Sequence, residues 1–308
     1  MSDKGTSIGT ILRTLFAAGY RVIKVERASA TSTFVNLVGV DLLRAEVKIL
    51  ALVTKTYGLG LKRRLEKQAD AEHSTPIVIS LSSELKTTPG VPCHQIGNFF
   101  KLLGGAVQTD RIFRPDLPAI INSIGFNKLP KGLAGKPDTL LEEISSECLR
   151  YLLDCPLRRY GQDRLFESLP DGIAFARSNT NFYYDAKAYT GFYHPSADDI
   201  KRFAEYINDF NDRYATFVGR IFRLLVISGG FSKSEKAIAE KNNDLDARCG
   251  TQMTFISTSA LAESVALMRK RSQQRSAVSW RNVFAPGVYS SARLTEECKR
   301  IEKDAIIK

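Results

Sequence analysis

Two consecutive segments restrict the fold of this chain more than any other feature. The run DDIKRFAEYINDFNDRY at 198–214 carries apolar residues at helical spacing on one face: Ile200, Phe203, Ala204, Ile207 and Phe210. The run RLLVISGG at 223–230 is a continuous apolar pattern, typical of a buried strand. A strand of this kind is covered on both faces by helices. The sequence therefore predicts an α/β fold with a mixed sheet flanked by helices.

The same order of elements recurs along the chain. In each half a helical pattern is followed by strand patterns, a second helix and a buried strand. The run TPIVIS at 75–80 can be laid over RLLVIS at 223–228, and VTKTYG at 53–58 over DAKAYT at 185–190. We interpret this as two tandem copies of one fold. Chance similarity between two α/β segments is the alternative.

A segment rich in proline and glycine separates the two halves. Residues 110–137 contain four prolines and three glycines, which interrupt any long periodic element. We therefore predict a first domain at 1–115, a linker at 116–136 and a second domain at 137–308.

The charge of the chain indicates a polyanionic partner. The formal net charge is +11 and the pI is near 9.4, and most of the surplus lies in the first 135 residues. Nucleic acid is the usual partner of such a chain; a basic protein without such a partner is the alternative. The apolar runs are too short to span a bilayer, and the first residues lack the apolar core of a signal peptide. We expect a cytoplasmic protein that does not bind membranes.

One group of residues has the chemistry of a metal-dependent hydrolase. Asp171 follows a proline at the start of a hairpin strand, and Asp185 and Lys187 lie two apart on the next strand, where side chains share a face. Two carboxylates can bind Mg²⁺, with the Ala186 carbonyl as a further ligand. Lys187 could orient or deprotonate an attacking water, or offset charge in the transition state. A surface ion pair between Asp185 and Lys187 is the alternative.

Four ordered blocks give this group a family resemblance. The chain resembles the cleavage domain of FokI-type restriction endonucleases, within the PD-(D/E)xK nucleases, in the blocks PDG (170–172), DAKAYTGFY (185–193), ADDIKRFAEY (197–206) and LLVISGGF (224–231). The resemblance implies a restriction-endonuclease-like fold and Mg²⁺-dependent hydrolysis of DNA, with Mn²⁺ as a substitute. It implies that Asp171 and Asp185 bind the metal and that Lys187 is the catalytic lysine. Restriction or another antiphage defence is the implied setting.

The resemblance also implies an assembly. In such nucleases an aspartate and an arginine one helical turn apart form a dimer contact, and Asp198 and Arg202 occupy these positions. An ion pair within the helix is the alternative. Because one site cuts one strand, we expect a homodimer, at least transiently on double-stranded DNA.

The first half carries a degraded version of the same pattern. Asp41 lies where the first acid would fall, Lys55 matches the lysine, and Val53 replaces the second acid. The triplet EVK at 46–48 offers a competing register, although Asp41 is then only five residues ahead. We interpret residues 1–115 as a nuclease-like domain without a working site, kept for DNA binding or assembly.

A basic cluster follows on the next helix. Lys62, Arg63, Arg64 and Lys67 can neutralise phosphates, which gives salt-dependent affinity without sequence readout. A solvated helix face is the alternative.

The helix before the hairpin contains two further acids. We predict that Glu142 forms a capping box with Thr139. We also predict that Glu147 is a solvated helix residue, with a contribution at the metal as the alternative. The sequence as a whole predicts a two-domain, Mg²⁺-dependent DNA endonuclease. The alternatives are a nicking subunit that depends on a partner, and a DNA-binding or assembly protein with an idle nuclease fold.

Overall fold

A computed structural model divides the chain into two compact units, Met1–Ala106 and Val107–Lys308. The structure describes residues 8–17, 20–40, 46–55, 57–81, 91, 93–95, 112–160, 169–176, 180–231 and 234–306. Each unit contains its own sheet and its own buried core.

The first unit is built on a five-stranded sheet in the order β1-β2-β3-β4-β5. The pairs β1–β2 and β2–β3 are antiparallel, whereas the pairs β3–β4 and β4–β5 are parallel. The elements are α1 (Ile8–Ala17), β1 (Arg21–Ser29), β2 (Ser32–Val40), β3 (Glu46–Thr54), α2 (Leu59–Ala71), β4 (Thr75–Ser80) and β5 (Cys93–Gln95).

The core of the first unit forms where α2 packs against its sheet. Leu65 and Ala69 are the buried residues of α2. They belong to one apolar cluster with Phe34, Leu52 and Val78 from β2, β3 and β4. Helical spacing on α2 and alternation along the strands place these side chains together.

The second unit is built on a six-stranded sheet in the order β11-β10-β9-β8-β7-β6. The pairs β6–β7 and β7–β8 are antiparallel, and the pairs β8–β9, β9–β10 and β10–β11 are parallel. The elements are α3 (Leu117–Gly125), α4 (Pro137–Leu153), β6 (Leu157–Arg159), β7 (Gly172–Ala176), β8 (Thr180–Lys187), α5 (Ala197–Val218), β9 (Ile221–Ser228), α6 (Glu235–Cys249), β10 (Gln252–Ser257), α7 (Thr258–Lys270), a 3₁₀ turn (Ser272–Ala277), α8 (Trp280–Val283), β11 (Gly287–Val288) and α9 (Ser291–Ile306).

Helices cover both faces of the second sheet. On one face, Phe182 and Tyr184 of β8 share an apolar cluster with residues of α3, α4, α7 and α9. On the other face, the ring of Tyr183 meets that of Phe210 on α5, with centroids 5.4 Å apart. The predicted α/β class, with a mixed sheet flanked by helices, is confirmed.

The structure differs from the sequence prediction at the boundary between the units. The segment 116–136, predicted as a linker, contains α3 and belongs to the second unit. Ile120, Ile121 and Ile124 of α3 are buried in the core of that unit. Its proline stands at the helix N-terminus, where a missing N–H costs nothing. Helix α3 is therefore part of the second fold rather than a connection to it.

Within these described ranges, no helix combines the length and the apolar character needed to cross a membrane.

Candidate active site

The β7–β8 hairpin brings the two predicted acids together. Gly172 pairs with Tyr184 in this antiparallel ladder, so Asp171 stands at the position just before the pair. The Ala186 amide donates a hydrogen bond of 2.6 Å to Asp171 Oδ2. The carboxylate of Asp171 is thereby fastened to the strand that carries Asp185.

Lys187 connects the acid pair to the surface. It forms an ion pair with Asp185, its neighbour two residues back on the same face of β8. Only 3% of Asp185 is exposed, whereas 28% of the Lys187 side chain is exposed. Ser228 Oγ donates a 2.7 Å hydrogen bond to the Lys187 carbonyl, which holds the end of β8 against β9.

The electrostatics of the site show an excess of negative charge. Burial raises the pKa of Asp171 well above its ordinary value, and the charge of Asp185 adds to this, while Lys187 opposes it. Burial by itself would lower the pKa of Lys187, but Asp185 and Asp171 outweigh burial and raise it. A single ammonium group does not balance these carboxylates, so a further cation would relieve their repulsion.

Gly172 is needed because an aromatic ring crosses it. A Cβ at this position would lie 2.5 Å from the Tyr184 hydroxyl oxygen. Among the described residues, that buried hydroxyl has no hydrogen-bond partner. Burial raises the pKa of Tyr184 well above its ordinary value, and Asp171 raises it further. The glycine of PDG therefore lets Tyr184 pack beside the first acid.

Glu142 on α4 is a third acid that the sequence prediction missed. The helix begins at Pro137 and Thr139 lies inside it, so the predicted capping box with Thr139 is absent. Burial, partly offset by Arg159, raises the pKa of Glu142 to about 7, and Asp185 contributes to the increase. Within the described residues, the buried Oε2 of Glu142 has no hydrogen-bond partner. Pro137 was the signal in the sequence, because proline is typical of the first turn of a helix and places the helix start before Thr139.

Glu147, the other acid considered on α4, is engaged elsewhere. It forms an ion pair of 3.6 Å with Arg150, one turn further along the helix. It is buried rather than solvated, since 8% of the residue is exposed. The prediction of a solvated Glu147 is therefore wrong.

The SGGF turn after β9 brings α3 close to the site. The Gly125 carbonyl accepts hydrogen bonds from the amides of Gly229 at 3.2 Å and Tyr189 at 3.0 Å. A Cβ on Gly229 would lie 2.7 Å from the Gly125 carbonyl carbon. Only glycines permit this approach of the two backbones. The end of α3 thus supports the loop that follows Lys187.

Comparisons with known proteins decide the family. The family model of the FokI cleavage domain matches residues 123–285, which is more than half of the chain. This chain belongs to the FokI cleavage-domain family. The match contains the C-terminal end of α3, the β7–β8 hairpin and the SGGF turn. A FokI-type cleavage domain indicates a DNA endonuclease.

Two solved structures are similar to this FokI-type chain. The restriction endonuclease FokI matches with 16% identity and a TM-score of 0.45, covering 67% of this chain and 38% of the FokI chain. FokI bound to DNA matches with 15% identity and a TM-score of 0.42, covering 67% and 39%. The match therefore spans less than two fifths of the FokI chains. No curated protein matches this chain.

The two residues predicted for the dimer contact of the FokI-type domain lie at the start of α5. Asp198 and Arg202 are both exposed. Arg202 forms an ion pair of 2.5 Å with Asp199, and Asp199 closes a capping box with Ser196. No ion pair between Asp198 and Arg202 occurs among the described contacts. The predicted pairing of these two residues across a dimer interface stays a prediction.

The basic cluster on α2 is partly neutralised within its own unit. Lys62 lies 3.8 Å from Glu66, and Arg64 lies 3.1 Å from Glu26. Arg63 and Lys67 are exposed on the same helix. These two side chains are the members of the cluster best placed to meet a phosphate backbone; DNA binding there stays a prediction.

Proposed function

We propose that the second unit hydrolyses phosphodiester bonds in DNA as a divalent-metal-dependent endonuclease. Asp171 and Asp185 bind the metal, and Lys187 is the catalytic lysine. The observation that carries the proposal is the convergence of these three side chains on one hairpin, inside the region matched by the family. The setting we infer is restriction or another antiphage defence.

The donor set fits a hard cation such as Mg²⁺, with Mn²⁺ as a substitute. Among the residues that the structure describes, no three His, Cys, Asp or Glu side chains are grouped closely enough to hold a metal alone. Asp171 and Asp185 supply carboxylates, the Ala186 carbonyl is a further candidate, and waters complete such a shell, as Mg²⁺ prefers. When bound, the metal would polarise the phosphodiester and lower the pKa of a water.

The ion pair between Lys187 and Asp185 favours one of the predicted roles of the lysine. An ammonium group held beside the two acids can stabilise negative charge that develops on the phosphate. We therefore assign Lys187 to charge stabilisation and orientation of the phosphate, while the amide of Ala186 keeps Asp171 in place.

Double-stranded DNA is the substrate that we infer, and a homodimer is the cutting form. One site cuts one strand, so a break in both strands requires two sites, and a two-fold dimer supplies them. Asp198 and Arg202 are the proposed contact, because both are exposed at the start of α5. On α2, Arg63 and Lys67 are the proposed contacts to phosphate.

Cleavage of supercoiled plasmid tests the proposal. With Mg²⁺ or Mn²⁺ we expect cutting that Asp185→Ala and Lys187→Ala reduce by about 10²-fold or more. Lys201→Ala, an exposed lysine on α5, is the matched control and should cut normally. Nicking without linearisation would favour a subunit that depends on a partner. DNA binding with no cutting under any metal would contradict the proposal and favour an idle fold.

A further inference from the structure

We propose that the first unit is a second copy of the nuclease fold whose metal pocket is filled with hydrocarbon. Among the residues that the structure describes, each chain then carries a single cleavage centre. This inference rests on the proposed function for the second unit. Its basis is a correspondence of strands and registers between the two sheets.

The two sheets share strand order and direction over five strands. In the order β1 to β5 the neighbouring pairs are antiparallel, antiparallel, parallel and parallel. In the order β6 to β10 the pairs have the same sequence of directions. A helix precedes the first strand of each set, and another helix connects the third strand to the fourth.

The parallel ladders fix which residues correspond. Superimposing TPIVIS on RLLVIS places Val78 on Val226 and Ser80 on Ser228. Leu52 is opposite Val78, as Asp185 is opposite Val226. By the same ladders, Thr54 is opposite Ser80 and Lys187 is opposite Ser228. Leu52 therefore takes the place of Asp185, and Thr54 takes the place of Lys187.

The antiparallel ladders identify the position of the first acid. Phe34 is opposite Leu52 in β2–β3. In β7–β8 the ladder ends at the pair Gly172 and Tyr184, and extending its register by one residue puts Asp171 opposite Asp185. Phe34 therefore takes the place of Asp171.

The helices confirm that these residues face the same way. Phe34 and Leu52 cluster with Leu65 of α2. Tyr183, two residues before Asp185, meets α5, the corresponding helix. The catalytic positions of both units thus lie on the face covered by that helix.

This register corrects the correspondence drawn from the sequence. Val53 and Lys55 are each displaced by one residue from the corresponding positions, and a shift of one residue moves a side chain to the opposite face. Lys55 is exposed, whereas Thr54 is buried. Asp41 lies outside the described residues, as do the side chains of Glu46 and Val47.

The corresponding positions cannot hold a hard cation. Phe34 and Leu52 are both 0% exposed and pack with Leu50 and Val78. At the lysine position, the Thr54 hydroxyl lies 2.7 Å from that of Ser32. Mg²⁺ requires oxygen ligands from the protein or from water. The Phe34 ring and the Leu52 isobutyl group carry no oxygen, and their packing leaves no room for water. Two units of one chain therefore cannot divide the two strands of a duplex between them.

Binding of Mn²⁺ to the full chain in the absence of DNA tests the inference. Titration calorimetry should show saturable binding that Asp171→Asn with Asp185→Asn removes. Lys55→Ala is the control. Lys55 lies one residue after the position that corresponds to Lys187, so this change should leave Mn²⁺ binding unchanged.

Two results would overturn the inference, and they differ. Saturable Mn²⁺ binding that survives the double substitution would indicate a second pocket and contradict the filled site. If the wild-type chain binds no Mn²⁺, that result would instead contradict a metal-binding cleavage centre in the second unit, and with it the metal dependence of the proposed function. Circular dichroism of each variant establishes that lost binding is not lost folding.

Discussion

The two sheets share five strands in the same order and direction, but they carry different side chains at the two positions that hold the acids in the second unit. In the second unit the positions hold Asp171 and Asp185, which repel each other in a buried site. In the first unit they hold Phe34 and Leu52, which pack into an apolar core. Strand pairing therefore positions a site without determining its chemistry. The hydrocarbon pair stabilises its unit, whereas the acid pair destabilises its unit, and the cation that we propose there would offset the repulsion.

The largest expected effect is on the stability of the first unit. Leu52→Ala should lower its free energy of unfolding by about 2 to 5 kcal/mol, because the change leaves a cavity in the core. Hydrogen exchange of the β2 and β3 amides measures this. Ile23→Ala is the control on the same sheet, since 55% of Ile23 is exposed, and it should change stability by less than about 0.5 kcal/mol. Equal effects would contradict the packed site.

A metal should stabilise only the second unit. At a Mn²⁺ concentration about 100 times its Kd, ligand linkage predicts a gain of about 2.7 kcal/mol for the wild type. Asp185→Asn should abolish that gain, because it removes one of the two carboxylates. Thermal unfolding with and without Mn²⁺, followed at the second unit by hydrogen exchange, provides the measurement. A gain confined to the first unit would reverse the comparison.

Stability of the metal-free second unit should depend on pH through Glu142. Its raised pKa of about 7 means that the folded chain keeps a proton that the unfolded chain releases near 4.5. The contribution is present below pH 4.5 and is lost as the pH rises to 7. Since Glu142 is partly exposed, we expect a loss of about 1 kcal/mol. Glu142→Gln should remove this part of the dependence in chelator-treated protein; an unchanged profile would contradict the assignment.

Contacts with DNA should give smaller effects that distinguish the units. Arg63→Ala and Lys67→Ala should each reduce the salt dependence of DNA binding by a slope of about 1, with Lys24→Ala on β1 as the control. Binding measured by fluorescence anisotropy at several salt concentrations gives the slope. Unchanged slopes would assign DNA binding to the second unit alone.

The smallest expected effect concerns assembly. Arg202→Glu should slow cutting of the second strand severalfold and weaken its dependence on protein concentration, because it reverses a charge at the proposed contact. Arg213→Glu is the matched control, an exposed arginine further along α5 that pairs with Asp209. Identical rates for both variants would remove Arg202 from the contact.

Much of the fold could be predicted from the sequence because its patterns are strong. The period of α5 and the apolar run of β9 predict a covered sheet, and the repeated order of elements is observed in both units. Asp171, Asp185 and Lys187 could be identified as candidate site residues from the sequence, because the two strands of a hairpin bring residues at these positions close together.

The rest depended on contacts that are not local in sequence. Helix α3 was predicted as a linker because the prolines and glycines of residues 110–137 resemble helix breakers, whereas Gly125 ends α3 and is needed for the approach to Gly229. The sequence match between the two units was placed one residue too far along β3, because sequence similarity alone does not show which face of β3 meets α2. Glu142 was assigned to a cap because the N-cap was placed at Thr139, three residues after the observed N-cap at Lys136.

Anomalous diffraction from crystals of the full chain soaked in Mn²⁺ would locate a bound metal in either unit. We expect an anomalous peak beside Asp171 and Asp185 and no peak beside Phe34 and Leu52. A peak beside Phe34 and Leu52, or no peak beside the two acids at saturating Mn²⁺, would contradict the proposed difference between the two units.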